Sequence, residues 1–228
     1  MNREWSENEK QMTALLKKNT FAEGIGLLLQ LRDTLMREMD AWQVLSREDF
    51  CAIPFLNAKG YHSKTAAYSL WHIFRIEDIV VHSLIRKDDE ILFSGDYENR
   101  IHSPIITTGN ELQGMEIAEF SRCLDISALY EYTHEVKVST DRWLKTITYS
   151  DLKTCFSDED RERLRGLRVV SPDENACWLI DYWCGKDVRG LIGMPLSRHW
   201  IMHTEAALRI LHKLGKYEKP TEENENHA

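Results

Sequence analysis

Cysteine is scarce and badly placed for cross-linking. Cys51, Cys123, Cys155, Cys177 and Cys184 are odd in number and include no CxxC pair, which excludes a disulfide framework of the small secreted kind and a zinc ribbon. A reducing compartment, the cytoplasm, is the expected location. No apolar run approaches the ~18 residues needed to span a bilayer, and the amino-terminal MNREWSENEK is polar, so neither a signal peptide nor a membrane anchor is expected. Basic charge is also in short supply: 29 Lys and Arg stand against 37 Asp and Glu, giving a formal net charge of -8, with no cluster dense enough to follow a phosphate backbone. Nucleic acid and membrane are therefore excluded as expected partners. Alternating β-branched runs are few, and internal repeats are absent.

What is present is helical periodicity. With 228 residues and 43% hydrophobic composition, the chain can bury one sizeable core, and residues 1–215 are expected to form a single domain. The polar segment KYEKPTEENENHA, residues 216–228, reads as a flexible tail. Apolar residues at helical spacing predict helices from Glu7 to Lys18 and from Phe21 to about Ser46, the second carrying Ile25, Leu28, Leu35 and Met39. Residues 47–62, with Pro54, Asn57 and Gly60, read as a loop. The strongest helical run follows, HSKTAAYSLWHIFRIEDIVVHSLIRK, with Ser63 as its expected N-cap. A long connection spans 88–109. Helical patterns resume from Glu111, from Asp125 to Ile147, from Ser157, and from Asp173 to Cys184. The final helix is expected to start near Pro195 and stop at Gly215. The expected fold is an all-α bundle with two long connections, a kind of segment that commonly covers a site.

In that last helix RHWIMH places His199 and His203 about 40° apart around the axis and about 6 Å along it, on one face. Leu196, Trp200, Ala207, Ile210, Leu211 and Leu214 surround them, while Arg198, Glu205, Arg209 and His212 fall opposite, so both imidazoles point inward. Among nine histidines one HxxxH spacing is roughly a one-in-three chance event, and the spacing alone decides nothing. The apolar surroundings say more: two neutral imidazoles there need partners for four ring nitrogens, and a divalent ion satisfies one from each.

A third ligand has to come from another helix, because His212 lies about 13 Å beyond His203. His62 and His102 sit in loop-like sequence, His134 in polar YTHEVK, His227 in the tail, and His82 beside Arg75 and Asp78 on the polar side of its helix. His72 alone lies near an apolar stripe, that of Ile73, Ile76, Ile79 and Val80. Glu77 projects among Leu70, Ile73, Val81 and Leu84, where a carboxylate needs a cation or strong donors. An ion pair with an arginine such as Arg32 and a role beside the metal or as proton acceptor are both open for it.

WHIFRIED on the second bundle helix together with HWIMH on the last resembles the DinB/YfiT-like superfamily of helical metalloproteins. The resemblance implies a four-helix bundle with long connections and extra short helices. It also implies a three-histidine site for zinc or nickel, formed by His72 from the second helix and His199 and His203 from the last. Where family members often carry a further histidine and arginine beside the pair, this chain has Ile201, Met202 and Thr204. The segment to Lys18 and residues 88–125 elaborate the minimal bundle and are expected to build a substrate pocket or a dimer surface. The family implies no DNA binding; its members include transferases that use a low-molecular-weight thiol such as bacillithiol or mycothiol, and others proposed as metal-dependent hydrolases.

Three neutral imidazoles leave the ion's double charge intact and a coordination position open, the pattern of catalytic sites. Thiol or water can fill it. Hydrolysis also needs a base, and only Glu77, or Asp181 in CWLIDYWCG, offers one, which tilts the expectation towards thiol transfer to a small-molecule substrate with Glu77 as the catalytic candidate. The alternatives are a metal-dependent hydrolase and a non-catalytic module for partner binding or homodimerisation. The aromatics of SLWHIF, WLIDYW and RHW read mainly as core, and Cys177 and Cys184, one heptad apart, as buried packing residues.

Overall fold

In the computed structural model, which describes residues 2–58 and 60–217, these periodicities resolve into helices, and no strand occurs among the described residues. Nor is any of those helices long and apolar enough to cross a membrane. α1 (Arg3–Leu15) begins earlier than its apolar spacing predicts because Asn2 caps it, accepting from the Trp5 amide at 3.2 Å. It packs along α2 (Phe21–Asp40). The pattern expected to run to Ser46 tightens at Ala41–Val44 into a 3-10 turn. Ser46 instead opens a short helix, Arg47–Cys51, through a capping box with Asp49, inside the stretch expected to be loop.

The N-cap of α3 (Ala66–Asp78) is Thr65, whose hydroxyl accepts from the Tyr68 amide at 3.0 Å; the Ser63 hydroxyl donates instead to the Leu56 carbonyl at 2.9 Å. Every residue of α3 is buried, and the helix runs on to Arg86 as a wider π-helical segment. The polar side expected for Arg75, Asp78 and His82 is therefore not solvated. Arg75 pairs with Glu90 at 2.6 Å, Asp78 accepts from the Ile91 and Leu92 amides at 2.9 Å, and His82 meets Asp88 at 2.8 Å. All four partners lie within 88–92, at the start of the long connection, which folds back over the helix and supplies what water would otherwise supply.

There follow α4 (Met115–Cys123), α5 (Ile126–Leu144), α6 (Asp158–Leu167), α7 (Trp178–Cys184), α8 (Val188–Gly193) and α9 (His199–Lys213). Asp125 caps α5 through the Ala128 amide, and a capping box of Ser157 with Asp160 opens α6. α9 is entered through a π-helical turn, Met194–Arg198, with Pro195 in its first positions. It ends in a Schellman motif at Gly215, where φ is +69°: Lys216 N–H donates to the Leu211 carbonyl at 2.8 Å and Gly215 N–H to that of His212 at 3.1 Å.

α3 packs against α5 and α9, and α9 against α2. Polar contacts bind α2 to α5, among them the Tyr130 hydroxyl on the Met39 carbonyl at 2.8 Å and Lys137 on Asp33 at 2.5 Å. Trp71, Phe74 and Trp200 are wholly buried between these helices, Phe74 and Trp200 edge to face at 4.6 Å, and each such side chain contributes roughly 2–3 kcal/mol of transfer free energy. Cys184 is buried as expected, but Cys177 is exposed. The turn in which the Ala176 and Cys177 amides bond the Asp173 carbonyl delays α7 until Trp178, so the heptad relation fails. In the segment expected to be a tail, Lys216 pairs with Asp49 at 3.1 Å and Tyr217 packs against the core; residues 218–228, including His227, lie outside the described residues.

Candidate metal centre

His199 is the first residue of α9 and His203 follows one turn later, so the apolar face of the helix carries both inward; they are 8% and 6% exposed. His72, in the middle of α3, meets them from across the core. The ring centroids stand 5.0 Å (His72 to His199), 4.6 Å (His72 to His203) and 4.5 Å (His199 to His203) apart. One nitrogen from each ring lies within 4.8 Å of the others, the one such grouping of His, Cys, Asp or Glu among the described residues. Ligands 2.0–2.1 Å from a tetrahedral ion stand about 3.4 Å apart, so holding one requires at most about 1.5 Å of closing, within reach of side-chain rotation. Other histidines are engaged elsewhere: His82 meets Asp88 at 2.8 Å, His134 Asp40 at 2.9 Å and His212 the Tyr217 carbonyl at 3.0 Å.

The orientation of His72 comes from the long connection. Four successive carbonyls, Ile106, Thr107, Thr108 and Gly109, accept from Arg75, Trp71, His72 and Tyr68 at 2.7, 3.0, 2.8 and 3.0 Å. Because a carbonyl only accepts, the neutral His72 ring carries its proton on Nδ1 and turns the Nε2 lone pair towards the other two rings. Tyr68 stacks on the same imidazole at 5.3 Å with 16° between the planes. Thr108 left no mark in the sequence, since a main-chain carbonyl can come from any residue. The Nδ1 of His199 is buried and meets no hydrogen-bond partner among the described residues.

Burial governs the charge of the cluster. It pushes the pKa of His72 down to about 4, a shift the Thr108 carbonyl opposes and the nearby Lys64 charge reinforces. His199 and His203 fall well below the ordinary imidazole value, first by desolvation and then by repulsion from the neighbouring rings. All three are neutral at pH 7, the form that ligates a metal.

The cluster opens on a cavity of about 700 Å³. Lys64 and Tyr68 adjoin the histidines, Trp178, Tyr182 and Trp183 form an aromatic wall, and Asn110 and Gln113 come from the 88–125 segment. That segment thus contributes to the pocket, whereas none of the described residues up to Lys18 lines it. WLIDYW divides between wall and core, and Trp71, Phe74 and Trp200 belong wholly to the core.

Glu77 takes the arginine partner. Its Oε1 accepts from Arg32 Nη2 at 2.7 Å, and its Oε2 from Arg32 Nη1 and from Trp200 Nε1, both at 2.8 Å. Arg32 also donates to Asp141 at 2.7 Å and to the Leu196 carbonyl, inside the π turn, at 3.2 Å. Glu77 does not line the cavity, and its carboxylate is committed to holding Trp200, which sits between the two histidines of α9. It is a positioning residue in this geometry. Asp181, the other carboxylate considered as a base, is exposed and bridges Arg165 at 3.1 Å and Arg161 at 3.5 Å, away from the cavity.

What the fold and the site define is an all-helical protein with three buried neutral histidines at one wall of a solvent-reaching cavity. In comparisons with known proteins, no family model and no curated protein matches the chain.

Proposed function

We propose that the chain is a DinB/YfiT-like metalloenzyme that binds a divalent ion, zinc or nickel, through His72, His199 and His203 and acts on a small molecule in the adjoining cavity. The observation that carries this reading is the hydrogen bond from His72 Nδ1 to the Thr108 carbonyl at 2.8 Å, which aims a lone pair at two other neutral imidazoles inside an apolar core. A buried imidazole nitrogen needs a partner, and the Nδ1 of His199 meets none among the described residues. A bound ion would lower the pKa of a thiol or water in its open position.

Thiol-dependent transfer fits the cavity better than hydrolysis. No Asp or Glu is among the described residues that line it, and none of those residues is a carboxylate that could take a proton from water. The aromatic wall of Trp178 and Trp183 suits an apolar electrophile and keeps water from the reacting atoms. Metal analysis of protein purified without chelator tests the site. Near-stoichiometric zinc or nickel is expected in the wild type and is expected to disappear in His72→Ala, His199→Ala and His203→Ala; full metal content in all three would refute it.

A further inference from the structure

We propose that Lys64 forms an anion subsite in the cavity, so that the small molecule taken there carries a carboxylate that pairs with the Lys64 ammonium while its other end lies at the three histidines. This rests on the metal reading for what occupies the histidines, but the anion subsite itself is a property of the cavity.

The chain has 37 Asp and Glu, yet none is among the described residues lining the cavity, while Lys64 is. Lys10, Lys87, Lys137 and Lys216 each pair with a carboxylate, Lys153 and Lys186 rest on tyrosine rings, and among the described lysines Lys64 alone lines the cavity. Lys64 has no ion-pair partner among the described residues. Its Nζ rests 4.5 Å from the centroid of the Tyr68 ring, which in turn stacks on His72. A half-buried ammonium against an aromatic face is only partly compensated for its lost water, and burial lowers its pKa to about 8. A carboxylate arriving in the cavity restores a full counter-charge in a site where charge-assisted hydrogen bonds are strong. Lys64 immediately precedes Thr65, the N-cap of α3, so the positive end of that helix adds to the same field. A cation finds no matching charge among the described lining residues; a carboxylate does.

Two thiols of the same shape separate the possibilities, 3-mercaptopropionate and its neutral amide, 3-mercaptopropionamide. Each is titrated into cobalt(II)-loaded protein and followed by the thiolate-to-cobalt absorbance, and into metal-free protein followed by intrinsic tryptophan fluorescence. The wild type is expected to bind the carboxylate about tenfold more tightly than the amide. Lys64→Met is expected to bring the ratio to about one, and Lys64→Arg to retain it. A ratio of one in the wild type, or a preference that survives in Lys64→Met, overturns the subsite. If cobalt fails to bind while the metal-free protein still shows a Lys64-dependent preference, the metal reading fails and the anion subsite stands; if cobalt binds and both thiols bind equally, the reverse holds.

Discussion

A carboxylate among Leu70, Ile73, Val81 and Leu84 has to find a cation, and Arg32 provides one with two hydrogen bonds on a fully buried pair. Removing one member of such a pair leaves the other charged and buried, which costs about 3–5 kcal/mol. Glu77→Gln, which leaves Arg32 only Asp141, is therefore expected to lower the unfolding free energy read from a urea titration by up to that amount, while the folded protein still takes up metal. Unchanged stability with lost turnover would instead make Glu77 a proton acceptor and not a positioning residue. The sequence exposed the conflict at Glu77 and named Arg32; it could not say which partner wins, because that depends on where α2 and α9 stand around the carboxylate.

The helix that carries His72 was legible as a helix up to its end at Arg86, and misjudged at its N-cap and along its polar side. Ser63 is as good a cap as Thr65 by residue type, but the loop gives its hydroxyl to the Leu56 carbonyl and leaves the capping to Thr65. Thr65→Ala is expected to cost about 1 kcal/mol, read from the urea midpoint, and Thr65→Ser to recover most of it. A midpoint unmoved by Thr65→Ala would show that α3 is held by packing alone. Arg75, Asp78 and His82 looked solvated because amphipathic projection assumes that the polar side of a helix meets water. Here it meets the first residues of the 88–109 connection, and the last four of that same connection aim Arg75, Trp71, His72 and Tyr68.

Metal binding and folding are linked across the whole chain, because the three imidazoles converge only when α3 and α9 are packed. At a free zinc concentration about 100-fold above the dissociation constant, the ion adds about 2.7 kcal/mol, which for a chain of this size is roughly 5–10 °C in Tm. That rise is expected in the wild type and is expected to be absent in His199→Ala and His203→Ala, by calorimetry with and without chelator. The pH course follows from His72, whose pKa falls from 6.5 to about 4 on burial. The unfolded chain takes up protons that the folded chain refuses between these values, so metal-free stability falls as pH drops from 6.5; the His72 contribution levels off below 4, while His199 and His203, held lower still, add to the fall. The metal increment compares two folded forms, and protons compete with the ion only near the folded pKa. The two melting curves should therefore descend together from pH 6.5, and the gap between them should close only near pH 4; a gap lost already at pH 6 would contradict neutral, buried ligands.

Periodicity along one chain was enough to reveal the helical class, the inward face shared by His199 and His203, and His72 as the third imidazole, because a helix places residues three and four apart on one side whatever packs against it. It also revealed that the 88–125 segment had work to do, though not which. The tautomer of His72, the pairing of Glu77, a cavity with no carboxylate among its described lining residues and the place of Lys64 in it all depend on contacts between residues tens of positions apart. Those contacts arise when α3 is enclosed by its own connecting segment, and no local pattern encodes which main-chain carbonyl will stand opposite which ring.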